Sequence, residues 1–170
     1  MEKKTTSPVV AGLLISAVLI VFGLIMYFTK LYTETWNQYV GMVLICGGII
    51  WAVINHSKER NANVTFGGLF GFGFKTTAVI ICITIVYTLI FGYIFPDVKE
   101  AIITKAREQA LTAPNANESQ VEQGMAMFEK NYTLFMMIGI IFWYAVIGAV
   151  SSLIGAAVAK KNPKAEFDNV

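Results

Sequence analysis

Residues 9–29 read VVAGLLISAVLIVFGLIMYFT, a run without a single Asp, Glu, Lys or Arg. Crossing about 30 Å of hydrocarbon takes roughly 20 helical residues, so this stretch alone sets the chain against lipid rather than water. Ser7 and Pro8 stand directly before it. A serine hydroxyl accepts an orphaned N–H of the first turn, and proline lacks an N–H the first turn cannot use, so the helix start is well marked. The run is longer than the roughly 7–15 apolar residues of a cleaved leader, and no small-residue cleavage pattern follows it. It reads as a retained signal anchor.

Outward from this span, three more charge-free runs follow at 36–55, 76–95 and 131–159. The second is framed by Trp36 and Tyr39 at one end and Trp51 near the other, where amphipathic rings favour the headgroup level. Pro96 stops the third directly after Phe95. The fourth is longer than a bilayer needs, so its crossing part is placed at about 134–159, with tilt absorbing the remainder. Composition agrees: of 170 residues, 56% are hydrophobic and 14% charged, against about 25% charged in soluble chains. A net charge of +2 is too small for a nucleic-acid partner. Membrane lipids are the expected surroundings, and two cysteines cannot staple a secreted scaffold. The fold expected is all-α: a single membrane domain over 1–170, an integral membrane four-helix bundle.

Basic residues orient it. Lys3, Lys4, Lys58, Arg60, Lys160, Lys161 and Lys164 flank the spans on one side; Lys30, Lys99, Lys105, Arg107 and Lys130 lie on the other, the last four among six acids. Both termini are therefore expected in the cytoplasm. The connection 96–131 reads as a short extramembrane helical hairpin between the third and fourth spans. Asp97-Val98-Lys99-Glu100 and Ser119-Gln120-Val121-Glu122 have the form of N-caps with capping-box partners, separated by Pro114 and Asn115. Val121, Met125, Phe128 and Tyr132 then form an apolar helical stripe, which either packs on the bundle or docks a partner.

Several motifs suggest chemistry and lose it on inspection. Gly68-Leu69-Phe70-Gly71-Phe72-Gly73-Phe74-Lys75-Thr76 approaches a phosphate-binding loop, but Phe74 stands where Lys must follow the glycine. Residues 64–75 read instead as an interfacial or re-entrant piece. Phe66, Phe70 and Phe74 share one face, Gly67 and Gly71 permit close helix approach, and Lys75 snorkels at the membrane edge. Cys46 and Cys82 fall inside spans, where thiols have little thiolate character. His56, the only histidine, reads as a surface residue at a helix end that favours its charge. The three N-x-[ST] sequons, at Asn63, Asn117 and Asn131, are discounted. No ionisable residue lies within the interior of a span, which argues against intramembrane proteolysis, proton coupling and voltage sensing. No catalytic residue, cofactor or metal site is expected.

Two polar or small-residue constellations remain. Ser16, Thr84, Tyr87 and Tyr144, with Trp143 beside the last, fall at comparable mid-membrane depth. They read as interhelical hydrogen bonding or as a small-ligand or lipid pocket. On the fourth run, Gly148, Ser152 and Ala156, with Ser151 and Gly155 on the adjacent row, form a packing face, within one chain or across a homodimer. Gly12 and Ser16 are a shorter example on the first span.

The four-span layout, Phe66-Gly67 with Gly73-Phe74-Lys75 before the third span, Phe95-Pro96-Asp97 after it, and the ending Gly148 … Ser151-Ser152-Leu153-Ile154 … Lys160-Lys161 together carry a resemblance. The chain resembles a bacterial membrane family called domain of unknown function 4199 over nearly its whole length. That resemblance implies a small inner-membrane protein of a Gram-negative bacterium, and it brings no functional residues with it. The expectation is a non-enzymatic accessory or assembly subunit working through a membrane-protein partner. The alternative is a small homo-oligomeric transporter or channel for a neutral solute or lipid.

Overall fold

The Ser7 side chain starts the first helix, its Oγ accepting the Val10 N–H at 3.2 Å with Pro8 in the first turn. A computed structural model describes residues 5–32, 34–114 and 117–162. Lys3, Lys4, Lys164 and Asn115, used above for orientation and for the hairpin turn, lie outside the described residues. Among the described residues there are six helices: α1 (Pro8–Phe28), α2 (Thr35–Glu59), α3 (Phe66–Ile94), α4 (Pro96–Leu111), α5 (Glu118–Lys130) and α6 (Tyr132–Val158). Helices α1, α2, α3 and α6 are long and apolar enough to cross a membrane. The short α4 and α5 form the hairpin between the third and fourth of them. Four candidate spans mark a multi-pass membrane protein.

Three local expectations change. The glycine- and phenylalanine-rich segment is no separate re-entrant piece: Thr65 Oγ1 accepts the Gly68 N–H at 3.1 Å, and α3 runs unbroken from Phe66. Lys75 therefore sits about 14 Å along that helix, exposed. Asp97 is not the cap of α4; Phe95 holds that position, and Asp97 lies in the first turn. There its carboxylate accepts the Tyr27 hydroxyl at 3.3 Å. At α5 the cap is Asn117, whose Oδ1 accepts the Gln120 N–H at 3.3 Å; the Asx side chain two residues earlier outcompetes Ser119.

The spanning helices do not pack in sequence order. Helix α3 lies most extensively on α6, then on α1, and less on α2. Helix α2 lies on α6 and only lightly on α1, while α1 and α6 do not meet. The cross-section is a diamond with α2 and α3 on its short diagonal. The core is confined to one end of it. Ala11 and Ile15 of α1, Ile49 and Val53 of α2, Leu69 and Ile80 of α3, and Ala156 of α6 are all buried. Residues 17–25, 81–94 and 132–147 bury none, so the bundle is tight at one end and loose at the end carrying the hairpin.

Side-chain and backbone bonds close the tight end. The Thr6 N–H and hydroxyl both donate to the Glu59 carboxylate at 2.6 Å, which also accepts Asn55 Nδ2 at 2.7 Å. Ser57 Oγ donates to the Lys160 carbonyl, and the Asn162 N–H donates to the Ala62 carbonyl at 2.7 Å. Lys161 Nζ reaches the last carbonyls of α6, Ala156 at 2.5 Å and Ala157 at 3.0 Å, a cation at the negative end of the helix dipole. Both described ends and the α2–α3 connection thus share one face, opposite the hairpin.

Candidate functional site

A membrane helix whose face is glycine, serine and threonine lets a neighbour's backbone approach closely, and that approach supplies dispersion contact where no hydrophobic drive exists between helices. The structure builds such a seam between α3 and α6. A Cβ added at Gly148 would stand 2.1 Å from Thr77 Cγ2, and one added at Gly73 would stand 2.5 Å from Ser152 Oγ. Gly12 gives α1 the same closeness to Val79 of α3, at 2.7 Å. Gly155 faces Val53 and the Ile50 backbone of α2 at 3.0–3.3 Å. Gly148, Ser151, Ser152, Gly155 and Ala156 are all buried, against α2 and α3 of the same chain.

Three of the hydroxyls in this seam are occupied by their own helices. Thr76 Oγ1 donates to the Phe72 carbonyl at 2.9 Å, Thr77 Oγ1 to Gly73 at 3.0 Å and Ser152 Oγ to Gly148 at 2.6 Å. Back-bonding of this kind satisfies a hydroxyl without any partner helix, and in lipid an unsatisfied polar group costs several kcal/mol. Ser16 Oγ and Ser151 Oγ are buried without a partner, on helices that do not meet. Chemically the seam is a fastening: it holds no acid, base or charged group.

The mid-membrane set does not converge on one pocket. Ser16 is buried on α1 in the tight end. Tyr144 shares a side-chain hydrogen bond with Thr84 across the α6–α3 interface. Tyr87 lies against α1, its hydroxyl 3.4 Å from where a Gly23 Cβ would be, and its ring packs on Phe91 at 5.3 Å. Trp143 is 62% exposed on the outer face of α6, beside Phe142, so it belongs to the lipid-facing surface and leaves the set. Helix rotation decides this, since adjacent residues on a helix point about 100° apart.

Other expectations resolve similarly. Gly67 and Gly71 face open space, so no helix of this chain approaches them. His56 is half-buried: its ring stacks on Phe72 at 4.0 Å and 15°, and among the described residues its buried Nδ1 meets no hydrogen-bond partner. Cys46 and Cys82 are both free, the second exposed. In the hairpin, Met125 is buried while Val121, Phe128 and Tyr132 are half-buried, so the stripe faces inward. Among the described residues no three His, Cys, Asp or Glu side chains are grouped to hold a metal.

Sequence reasoning missed two fastenings. Gly73 and Thr77 repeat, on α3, the four-residue spacing of Gly148 and Ser152 on α6, and matching the two rows would have found the seam. The Tyr27–Asp97 contact, with Tyr27 also packed on Phe95 at 4.5 Å and Phe91 at 5.2 Å, leaves no periodic signal.

No curated protein and no solved structure matches this chain. A family model does, described as "Protein of unknown function (DUF4199)" and aligned over residues 11–161. The match covers all four candidate spans, the α4–α5 hairpin and both faces of the α3–α6 seam, and the chain belongs to the DUF4199 family.

Proposed function

We propose that the protein is a non-enzymatic, multi-pass subunit of the bacterial inner membrane, with both termini cytoplasmic, that engages a partner protein through its α4–α5 hairpin. One observation carries this reading. Helix α4 buries no residue and α5 buries only Met125, so the hairpin is folded but scarcely used by the bundle. Arg107 and Glu122 tie its two helices at 3.4 Å, and Glu100, Glu108, Glu118 and Glu129 stand exposed along it. A structured, charged projection of this kind suits the electrostatic steering of a partner of opposite charge better than anchoring.

The tight end supports this over a solute path through one chain. There Gly148 against Thr77, Gly73 against Ser152 and Gly12 against Val79 leave no gap between helices. The orientation rests on Lys58, Arg60, Lys160 and Lys161 clustering at the tight end.

Purification of the full-length chain at native abundance, with quantitative mass spectrometry, tests the proposal. A different protein at fixed stoichiometry is expected, lost when Glu100, Glu108 and Glu118 are changed to Gln while the bundle keeps its thermal stability. A homo-oligomer without another protein, combined with solute uptake into liposomes, would overturn it in favour of transport.

A further inference from the structure

At the loose end of the bundle, α3 and α6 part to leave a lateral groove of about 280 Å³ that reaches up to the start of α4. Its walls are mostly apolar, Ile85 and Leu89 of α3 and Met136, Met137 and Ile140 of α6, with Thr88 and Thr133 among them. From Ile85 to Gly92 it runs about 10 Å along α3, within the third candidate span. Gly92 lines it with nothing within 4 Å of where a Cβ would be, so the floor is kept open by the absence of a side chain. At the mouth the chemistry changes. Lys99 of α4 lines the same groove, its Nζ 5.4 Å from the Tyr132 ring centroid. Tyr93, which also lines it, is 90% exposed, as rings at the headgroup level are.

We infer that this groove is a binding site for a single acyl chain of an anionic phospholipid, with Lys99 taking the headgroup phosphate. The occupant follows from the order of the surfaces. An apolar slot open sideways to the bilayer accepts a hydrocarbon chain, and a cation at the slot's interfacial end selects the negative headgroup attached to it. Tyr132 holds the ammonium by its ring face over the mouth. The volume lies near the lower bound for small-molecule sites, about 300 Å³, which fits the headgroup-proximal part of one chain and leaves its remainder and the lipid's second chain in the bilayer. Flexible methionine side chains line one wall, and these adapt to chains of differing length and unsaturation. A protein helix is a poorer match: the slot is too short and narrow for a cylinder about 10 Å across. The inference is independent of the partner-docking proposal, since it uses none of the hairpin's acidic face.

The test uses full-length protein in phosphatidylcholine vesicles doped with phosphatidylglycerol bearing a photoreactive group on one acyl chain. Labelled peptides are then mapped by mass spectrometry. Label is expected within 85–92 and 132–140. Unlabelled phosphatidylglycerol should displace it about fivefold better than phosphatidylcholine, the preference one basic residue provides near the surface. Lys99→Gln should abolish that preference, whereas Lys130→Gln should keep it. Gly92→Phe should lower groove labelling by either lipid. Equal displacement by the two lipids, or a preference that survives Lys99→Gln, would overturn the proposal. So would a photoreactive residue at position 136 giving a protein adduct in native membranes. Should Gly92→Phe fail to fold, Lys99→Gln decides alone, because that side chain is exposed and outside the packed end.

Discussion

Replacing Gly148 by alanine adds one methyl group at the closest approach of α3 and α6. The new carbon would lie 2.1 Å from Thr77 Cγ2, 2.4 Å from Oγ1 and 2.7 Å from Cβ, whereas apolar carbons rest at about 3.5–4.0 Å. Rotating Thr77 moves the first two atoms away but breaks the Oγ1 bond to the Gly73 carbonyl. It cannot move Cβ, which is fixed to the α3 backbone. The helices must therefore part by about 1 Å, and the Gly73–Ser152 contact one turn away opens with them. Overpacking of this kind costs about 1–3 kcal/mol, against about 1 kcal/mol that alanine returns in helix propensity. A net loss of up to about 2 kcal/mol is expected, which at roughly 2–4 °C per kcal/mol for a chain of this size lowers Tm by up to several degrees. Thermal unfolding in mild detergent, followed by tryptophan fluorescence, measures it. Gly139→Ala, which meets nothing within 4 Å, serves as the control and should match or exceed the native chain. Thr77→Ala should restore part of the loss in the Gly148→Ala background, a coupling expected only between touching residues. If Gly148→Ala is as stable as Gly139→Ala, α3 and α6 do not meet at this point and the seam is wrong.

Further outcomes are equally definite. With Cys46 and Cys82 replaced by alanine, an impermeant maleimide on intact spheroplasts should label a cysteine at position 118 and spare one at position 61; the reverse pattern inverts the orientation. Lys75→Ala should insert normally, whereas Lys75→Glu should lower membrane yield, because an exposed acid loses the attraction to anionic headgroups of about 1 kcal/mol; equal yields would remove the snorkelling role. Tyr144→Phe and Thr84→Val should each cost about 0.6 kcal/mol and together little more than either, while fully additive losses in the same melts would deny their hydrogen bond. Ala62 has φ 61°, and left-handed backbone costs a side-chain-bearing residue about 1–2 kcal/mol. Ala62→Gly should therefore raise Tm, even after the extra freedom glycine gains when unfolded, and a lower Tm would refute that strain.

Much of the architecture was legible because a membrane leaves few choices. A charge-free run of some twenty residues becomes a helix since no other structure satisfies its backbone there, and the four spans follow directly. Charge alone places the start of the third span after Lys75, whereas α3 begins at Phe66, because a lysine on a lipid-facing side tolerates burial of its stem. The small residues of α6 were recognisable by spacing, but not their neighbours, since single-helix periodicity carries no information on which helix lies opposite. Trp143 and Tyr144 show the same limit at finer scale: they are adjacent in sequence, yet one meets lipid and the other meets Thr84. The stacking of His56 on Phe72 leaves no local signal, because sixteen positions of sequence separate the two.

The diamond arrangement has a consequence for how the protein is made. Of the four spans, α1 and α2 leave the ribosome first, and in the finished molecule each packs more on a later helix than on the other. Their principal partners, α3 and α6, come later. From the end of α2 to the end of α6 there are about 100 residues, which at roughly 5–20 residues per second is on the order of 5–20 s of synthesis. Gly12, which ends against Val79, lies open to bilayer or insertion machinery until α3 arrives, and Val53, which also meets Gly155, waits the full interval for α6. Assembly is thus completed only when α6 arrives, and until then α2 lacks the helix it packs on most.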